Sequence, residues 1–190
     1  MSSNVMLFLG SHGSGLRNEG NIENAEAAIV SIKKVTKDIP NKDKILVIEM
    51  GGWQHGRESA ELYFTRDKEK GKSIFKDVVT YYKNSLTLIK RGENVQNPDW
   101  ATILMKFGVD NGLLVELEDA KLEFPWRLFI EFDNEDDVQI DRDKNFVQQL
   151  MELMKDHPNK TIITVRGKKH EKWLPAILKT NNIPHQVFYY

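Results

Sequence analysis

The stretch Val5–Gly13, VMLFLGSHG, decides the fold, because five apolar residues run directly into glycine and histidine. An apolar run of this length that stops at glycine is typical of a buried strand followed by a tight turn. Two later stretches repeat the design, KILVIEMGGW at Lys44–Trp53 and TIITVRGKKH at Thr161–His170. In each of the three stretches, an ionisable side chain lies at or just beyond the end of the apolar run.

These ionisable side chains are His12, Glu49 and His170. In an open α/β sheet, ligands bind outside the carboxyl ends of the strands. We therefore expect the three side chains to converge on one site. The alternative for Glu49 is a structural carboxylate that is paired with a lysine or with backbone amides, because an unpartnered buried carboxylate costs several kcal/mol.

Composition predicts one soluble globular domain. The 190 residues are enough for a single sizeable core, and the 40% hydrophobic and 29% charged fractions are ordinary for such a domain. A net charge of −1 gives no basic field for nucleic acid. The absence of cysteine excludes disulfides and thiolate metal sites and fits the cytoplasm. The first apolar run is far shorter than the about 20 residues that a membrane span needs, so we expect no membrane association.

Helical periodicity between the apolar runs predicts an α/β fold, with a mainly parallel central sheet and helices on both faces. A helix over Asn21–Ile39 joins the first two strands as a βαβ unit. Residues 58–91 are predicted as two helices divided at Gly71, in a helical excursion over the carboxyl ends of the strands. We also expect a helix that Asp99 caps. Strands are expected near residues 5–10, 44–50, 113–118, 127–132, 161–166 and 186–190.

Seven acidic residues crowd positions 131–143. The run lacks the spacing and the central glycine of a calcium loop, so we expect a solvated loop. Arg142 and Asp143 would then open a helix over Lys144–Met154. A cation at a helix start opposes the helix dipole, which suggests that Arg142 orients an acid or grips a substrate anion. The alternative is a surface ion pair of little energetic value.

In this order, the motifs resemble those of the superfamily of erythromycin esterases, Tiki proteases, TraB/PrgY proteins and ChaN-like haem-uptake proteins. Those proteins have a first strand that ends in a Gly–His turn, a second strand that ends in an acid, an Arg-Asp pair that opens a helix, and a last strand that ends in Gly-x-x-His. The matching residues here are Gly10–Gly13, Glu49, Arg142-Asp143 and Gly167–His170. The resemblance spans nearly the whole chain, except for the middle helices.

The resemblance implies hydrolysis of a peptide or a small-molecule ester, and the residue chemistry allows it. The catalytic residues would be His12, Glu49 and His170, with Arg142 and Asp143 orienting them or binding a substrate carboxylate. Two histidines and a carboxylate can hold a divalent metal ion (Mn, Co or Zn) with a position open for water. Without a metal, a His–carboxylate pair can activate water as a general base.

The rival hypothesis is a protein without catalysis. The same residues would then bind a metal, haem or another small ligand, as the ChaN-like branch of the resemblance implies, or the chain would be a scaffold with a relict site. The sequence does not choose between a peptide and an ester, and it leaves the oligomeric state open.

Overall fold

The computed structural model describes residues 4–10, 18–49, 68–96, 98–118 and 135–190. The strands are β1 (Asn4–Gly10), β2 (Lys44–Ile48), β3 (Leu114–Leu117), β4 (Thr161–Gly167) and β5 (His185–Tyr189). The helices are α1 (Asn18–Val35), α2 (Lys68–Lys90), α3 (Trp100–Asp110), α4 (Glu135–Asp156) and α5 (Leu174–Thr180). Short 3₁₀ turns cover Asn41–Asp43 and Lys168–Lys172.

The five strands form one sheet in the order β3-β2-β4-β1-β5, and every neighbouring pair is parallel. The predicted α/β fold with a mainly parallel sheet is therefore confirmed. β4 lies between β1 and β2, so the first two strands share the sheet without touching. The strand predicted at 127–132 lies outside the described residues, as does His12.

Two hydrophobic cores cover the two faces of the sheet, as expected for helices on both sides. Alternate strand residues such as Phe8, Leu46 and Val165 pack with α1, α2 and α3. The residues between them, such as Leu7 and Val47, pack with α4 and α5. α2 and α3, the described part of the predicted helical excursion, therefore belong to the first of these two cores. None of the described helices is long and apolar enough to cross a membrane.

The acidic run corrects the sequence analysis. Residues 135–143 are helical rather than a loop, because α4 begins at Glu135 and not near Lys144. Because the helix begins this early, Arg142 lies well inside α4 and does not oppose the dipole at a helix start.

The prediction that Gly71 divides a helix is wrong, whereas the predicted helix cap at Asp99 is confirmed. α2 runs from Lys68 to Lys90 without interruption, so Gly71 does not divide it. A glycine inside a helix costs only about 1 kcal/mol, which packing of the rest of the helix offsets. Asp99 caps α3 as predicted: its carboxylate accepts from the backbone N–H of Thr102, and the Thr102 hydroxyl accepts from the backbone N–H of Asp99.

The carboxyl ends of the two central strands meet at a pair of glycines. Gly10 of β1 lies opposite Gly167 of β4 in the parallel register. The ring of Tyr190 occupies the space into which a Cβ at Gly10 would project, so a larger residue would overlap it. Glycine at this position therefore permits the close approach of an aromatic ring to the end of the strand.

Candidate functional site

A buried cluster of charged side chains lies at the carboxyl edge of the sheet, on the face covered by α4. Glu49 directly follows β2, Glu118 directly follows β3, and Arg166 is the penultimate residue of β4. His170 lies in the 3₁₀ turn after β4. Parallel strands bring their carboxyl ends to one edge, so residues far apart in the chain become neighbours there.

His170 lies between two carboxylates. Its Nδ1 is 2.5 Å from Oδ1 of Asp143, and its Nε2 is 3.1 Å from Oε1 of Glu49. Burial lowers the pKa of His170, but the negative charge of Glu49 and the hydrogen bonds to Asp143 and Glu49 outweigh burial and raise the pKa above its ordinary value. With a carboxylate oxygen at each nitrogen, His170 can donate to both only as the imidazolium, and the raised pKa favours that form.

Glu49 receives donors on both carboxylate oxygens. Its Oε1 accepts from Nη2 of Arg142 at 2.7 Å as well as from His170, and its Oε2 accepts from the backbone N–H of Gly167 at 3.2 Å. The side chain is buried, at 4% exposure. These charge-assisted bonds from an α-helix, a turn and a strand hold the carboxylate in one orientation.

Glu118 is clamped by two arginines. Nη2 of Arg142 lies 3.0 Å from Oε2 of Glu118, and Nη1 of Arg166 lies 3.1 Å from Oε1. Burial raises the pKa of Glu118, but the two guanidinium charges together lower it further, so the net pKa lies below the usual range. Glu118 is therefore ionised and links β3, β4 and α4.

Arg166 is fully buried within the sheet. Its guanidinium stacks on the ring of Phe146 of α4, with 3.4 Å between the guanidinium carbon and the ring centroid. Three carboxylates (Glu49, Glu118 and Asp143) thus face three cations (Arg142, Arg166 and protonated His170). A buried cluster with balanced charge avoids the large penalty of an isolated buried ion.

The aromatic ring of Tyr190 is close enough to respond to this cluster. Burial raises the pKa of Tyr190 far above its ordinary value, and the negative charge of Glu49 raises it further. The phenol therefore stays neutral and protonated. Its ring approaches Gly10 and packs with the core on the face covered by α1, α2 and α3, across the sheet from the side chains of the charged cluster.

The structure brings together four of the five residues that the sequence nominates, namely Glu49, Arg142, Asp143 and His170. The fifth, His12, lies outside the described residues. Sequence reasoning missed Glu118 and Arg166. A signal existed for both: Glu118 ends an apolar run as Glu49 does, and Arg166 is a charged residue inside the otherwise apolar run TIITV-R-G.

The divalent metal site that the sequence predicts rests on His12, Glu49 and His170, and His12 lies outside the described residues. Among the described residues, no group of three histidine or acidic side chains is arranged to hold a metal ion. Both nitrogens of His170 contact carboxylate oxygens, so His170 would have to give up one of these contacts to bind a metal ion or haem. The metal ion and haem therefore stay predictions.

Comparison of the chain with protein-family models, with curated proteins and with solved structures finds no match. The function is therefore inferred from the chemistry of the carboxyl edge. The carboxylate of Glu49 touches a histidine whose raised pKa favours the protonated form, which places a proton acceptor beside a proton donor, and Asp143 contacts the other nitrogen of that histidine.

Proposed function

We propose that the chain is a hydrolase of the superfamily that includes erythromycin esterases, Tiki proteases and TraB/PrgY proteins, and that it cleaves a peptide or an ester. The observation that carries the proposal is the chain of contacts from Asp143 through His170 to Glu49 at the carboxyl edge of a parallel sheet. An acid, a base and an orienting carboxylate in line are what acyl-group hydrolysis requires.

In the proposed reaction, water adds to the carbonyl carbon while Glu49 accepts the proton that the water loses. Protonated His170 donates a proton to the leaving oxygen or nitrogen as the carbon–heteroatom bond breaks. Transfer of the proton from Glu49 Oε1 to His170 Nε2, which are 3.1 Å apart, then restores both groups. No metal is needed for this proton balance.

The neighbouring residues have supporting roles in the proposal. Asp143 orients the imidazole and maintains its proton. Arg142 holds Glu49 and offers positive charge to the oxyanion that develops at the carbonyl. His12 follows β1 in sequence, and we propose that it contributes a further polar contact to the substrate.

A screen of p-nitrophenyl esters and internally quenched peptides tests this proposal. We expect turnover by the wild-type chain and a loss of about 10²–10⁴-fold in kcat for His170→Asn and Glu49→Gln. The matched control is His185→Asn, because His185 lies at the amino end of β5 and bonds only to the carbonyl of Ile183 among described partners. Equal loss in the control, or full activity in His170→Asn, would contradict the proposal.

The pH profile of kcat separates the proposed acid role of His170 from a base role. An acid must be protonated, so kcat should fall as the pH rises through the raised pKa of His170. A profile that instead rises through that pKa would assign His170 as the base. Metal analysis and a visible absorption spectrum of the same preparation complete the test, because bound metal or porphyrin without turnover would favour a ligand-binding protein.

A further inference from the structure

A small cavity of about 160 Å³ lies at the edge of the sheet opposite the charged cluster. It is bordered by α1, by the amino ends of β2 and β3, and by the end of α3. Lys44 at the cavity and Glu49 at the cluster are five residues apart along β2, which corresponds to roughly 16 Å. The cavity is therefore separate from the proposed hydrolytic site, and what it binds does not depend on that proposal.

Positive charge dominates the cavity wall. Lys33, Lys37 and Lys44 all line it, and no carboxylate does. None of these three lysines forms an ion pair within the described ranges of the chain. Asp43 is adjacent to Lys44 in sequence, yet it is not part of the lining. A small concave surface with three cations and no counter-charge attracts anions.

Lys44 is the most informative of the three, because it is buried at the first position of β2, with 6% exposure. Its ammonium donates one hydrogen bond, to Oδ1 of Asn41 at 3.0 Å, and an ammonium carries three donors. Burial lowers the pKa of Lys44. Most of the Lys44 side chain is buried, while its ammonium lines the cavity, where it could pair with an anionic ligand.

The rest of the wall combines polar side chains with apolar ones, and the aromatic ring of Phe107 belongs to the apolar part. Nζ of Lys33 lies 5.6 Å from the centroid of this ring, so a lysine and an aromatic face already border the same space. Lysine ammonium groups act as point charges, which suits a tetrahedral phosphate, whereas a planar carboxylate is better matched by the fork of an arginine.

We propose that this cavity binds a small phosphate monoester, with the phosphate between Lys33, Lys37 and Lys44 and the organic group against Phe107. Two of the lysines lie four residues apart on and just after α1, so one helical face presents both to the phosphate. Lys44 approaches the phosphate from the amino end of β2.

Calorimetric titration of the wild-type chain with phenyl phosphate, inorganic phosphate and benzoate tests the proposal. We expect saturable one-to-one binding of phenyl phosphate that is tighter than that of either other probe. Lys44→Met keeps the aliphatic packing and removes the charge, and it should weaken binding about tenfold or more. Lys83→Gln, on the exposed face of α2, should leave the affinity unchanged.

Amide chemical shifts locate the probe, since Thr36 and Asn111 line the cavity and should shift on binding. If Lys44→Met does not fold, Lys33→Gln replaces it, because Lys33 is exposed on α1. The proposal is overturned if phenyl phosphate shows no saturable binding, if benzoate binds equally well, or if neither lysine variant weakens the binding.

Discussion

His170 makes stability depend on pH. Its folded-state pKa is raised, so its contribution to the free energy of unfolding is complete below the unfolded pKa of about 6.5 and is lost as the pH rises through the folded pKa. The difference in unfolding free energy between wild type and His170→Asn should therefore shrink with rising pH. Urea titrations between about pH 5.5 and 9 measure it. His185→Asn is the control, and a constant difference for His170→Asn would contradict the assigned imidazolium.

Glu118, directly after β3, is predicted to matter more for stability than Glu116 within that strand. Glu118→Gln would leave the buried guanidinium groups of Arg142 and Arg166 without their shared anion, at a cost of about 3–5 kcal/mol. Glu116→Gln makes the same chemical change at a half-exposed position of β3 and should cost far less. Because the folded pKa of Glu118 is lowered, its contribution is lost as the pH falls through that pKa. Similar urea midpoints for the two variants would be evidence against the clamp.

At the scale of single elements, the start of α3 depends on one side chain. Asp99 caps the helix and also accepts a 2.8 Å hydrogen bond from the buried hydroxyl of Tyr82. Asp99→Ala should cost about 1–2 kcal/mol for the lost cap and a similar amount because the Tyr82 hydroxyl would lose its acceptor. Asp110→Ala removes an exposed pair with Lys106 at the other end of the helix and should cost at most about 0.5 kcal/mol. Thermal melts that rank the two variants the other way round would refute this account.

α4 packs on the sheet with an apolar face, in addition to its contacts with the charged cluster. Leu150 is fully buried in that face, whereas Met151 beside it is 41% exposed. Leu150→Ala should lower the free energy of unfolding by about 2–5 kcal/mol, and Met151→Ala should change it by no more than about 0.5 kcal/mol. Denaturant titration decides between them. An equal effect at both positions would mean that α4 does not pack as described.

At the scale of the whole molecule, the local features were predictable and the long-range ones were not. Glycines mark the ends of the apolar runs at Glu49 and before His170. Because the carboxyl ends of parallel strands lie at one edge of the sheet, the sequence predicted that these two side chains meet at that edge. The position of β4 between β1 and β2 depends on pairing between distant segments, which no local pattern encodes. The start of α4 was missed because its first turns are acidic rather than periodic in apolar residues.

The burial of Arg166 was also beyond local reasoning. A guanidinium inside a sheet is tolerable only if a carboxylate meets it, and that carboxylate, Glu118, is 48 residues away in the chain. The sequence therefore predicted Glu49, Arg142, Asp143 and His170, whereas the pairing of Glu118 with Arg166 is visible only in the assembled sheet.

The place of β4 in the strand order has a kinetic consequence. Asn4 pairs with Thr161, and Lys44 pairs with the same residue from the other side, so the middle of the sheet is the fourth of the described strands to be synthesised. Until β4 leaves the ribosome, β1 has neither of its two neighbours, and β2 can pair only with β3. Contacts of such long sequence separation slow folding and expose nascent chains to aggregation. The nascent chain therefore carries an unpaired β1 and an open edge of β2 until β4 has been made.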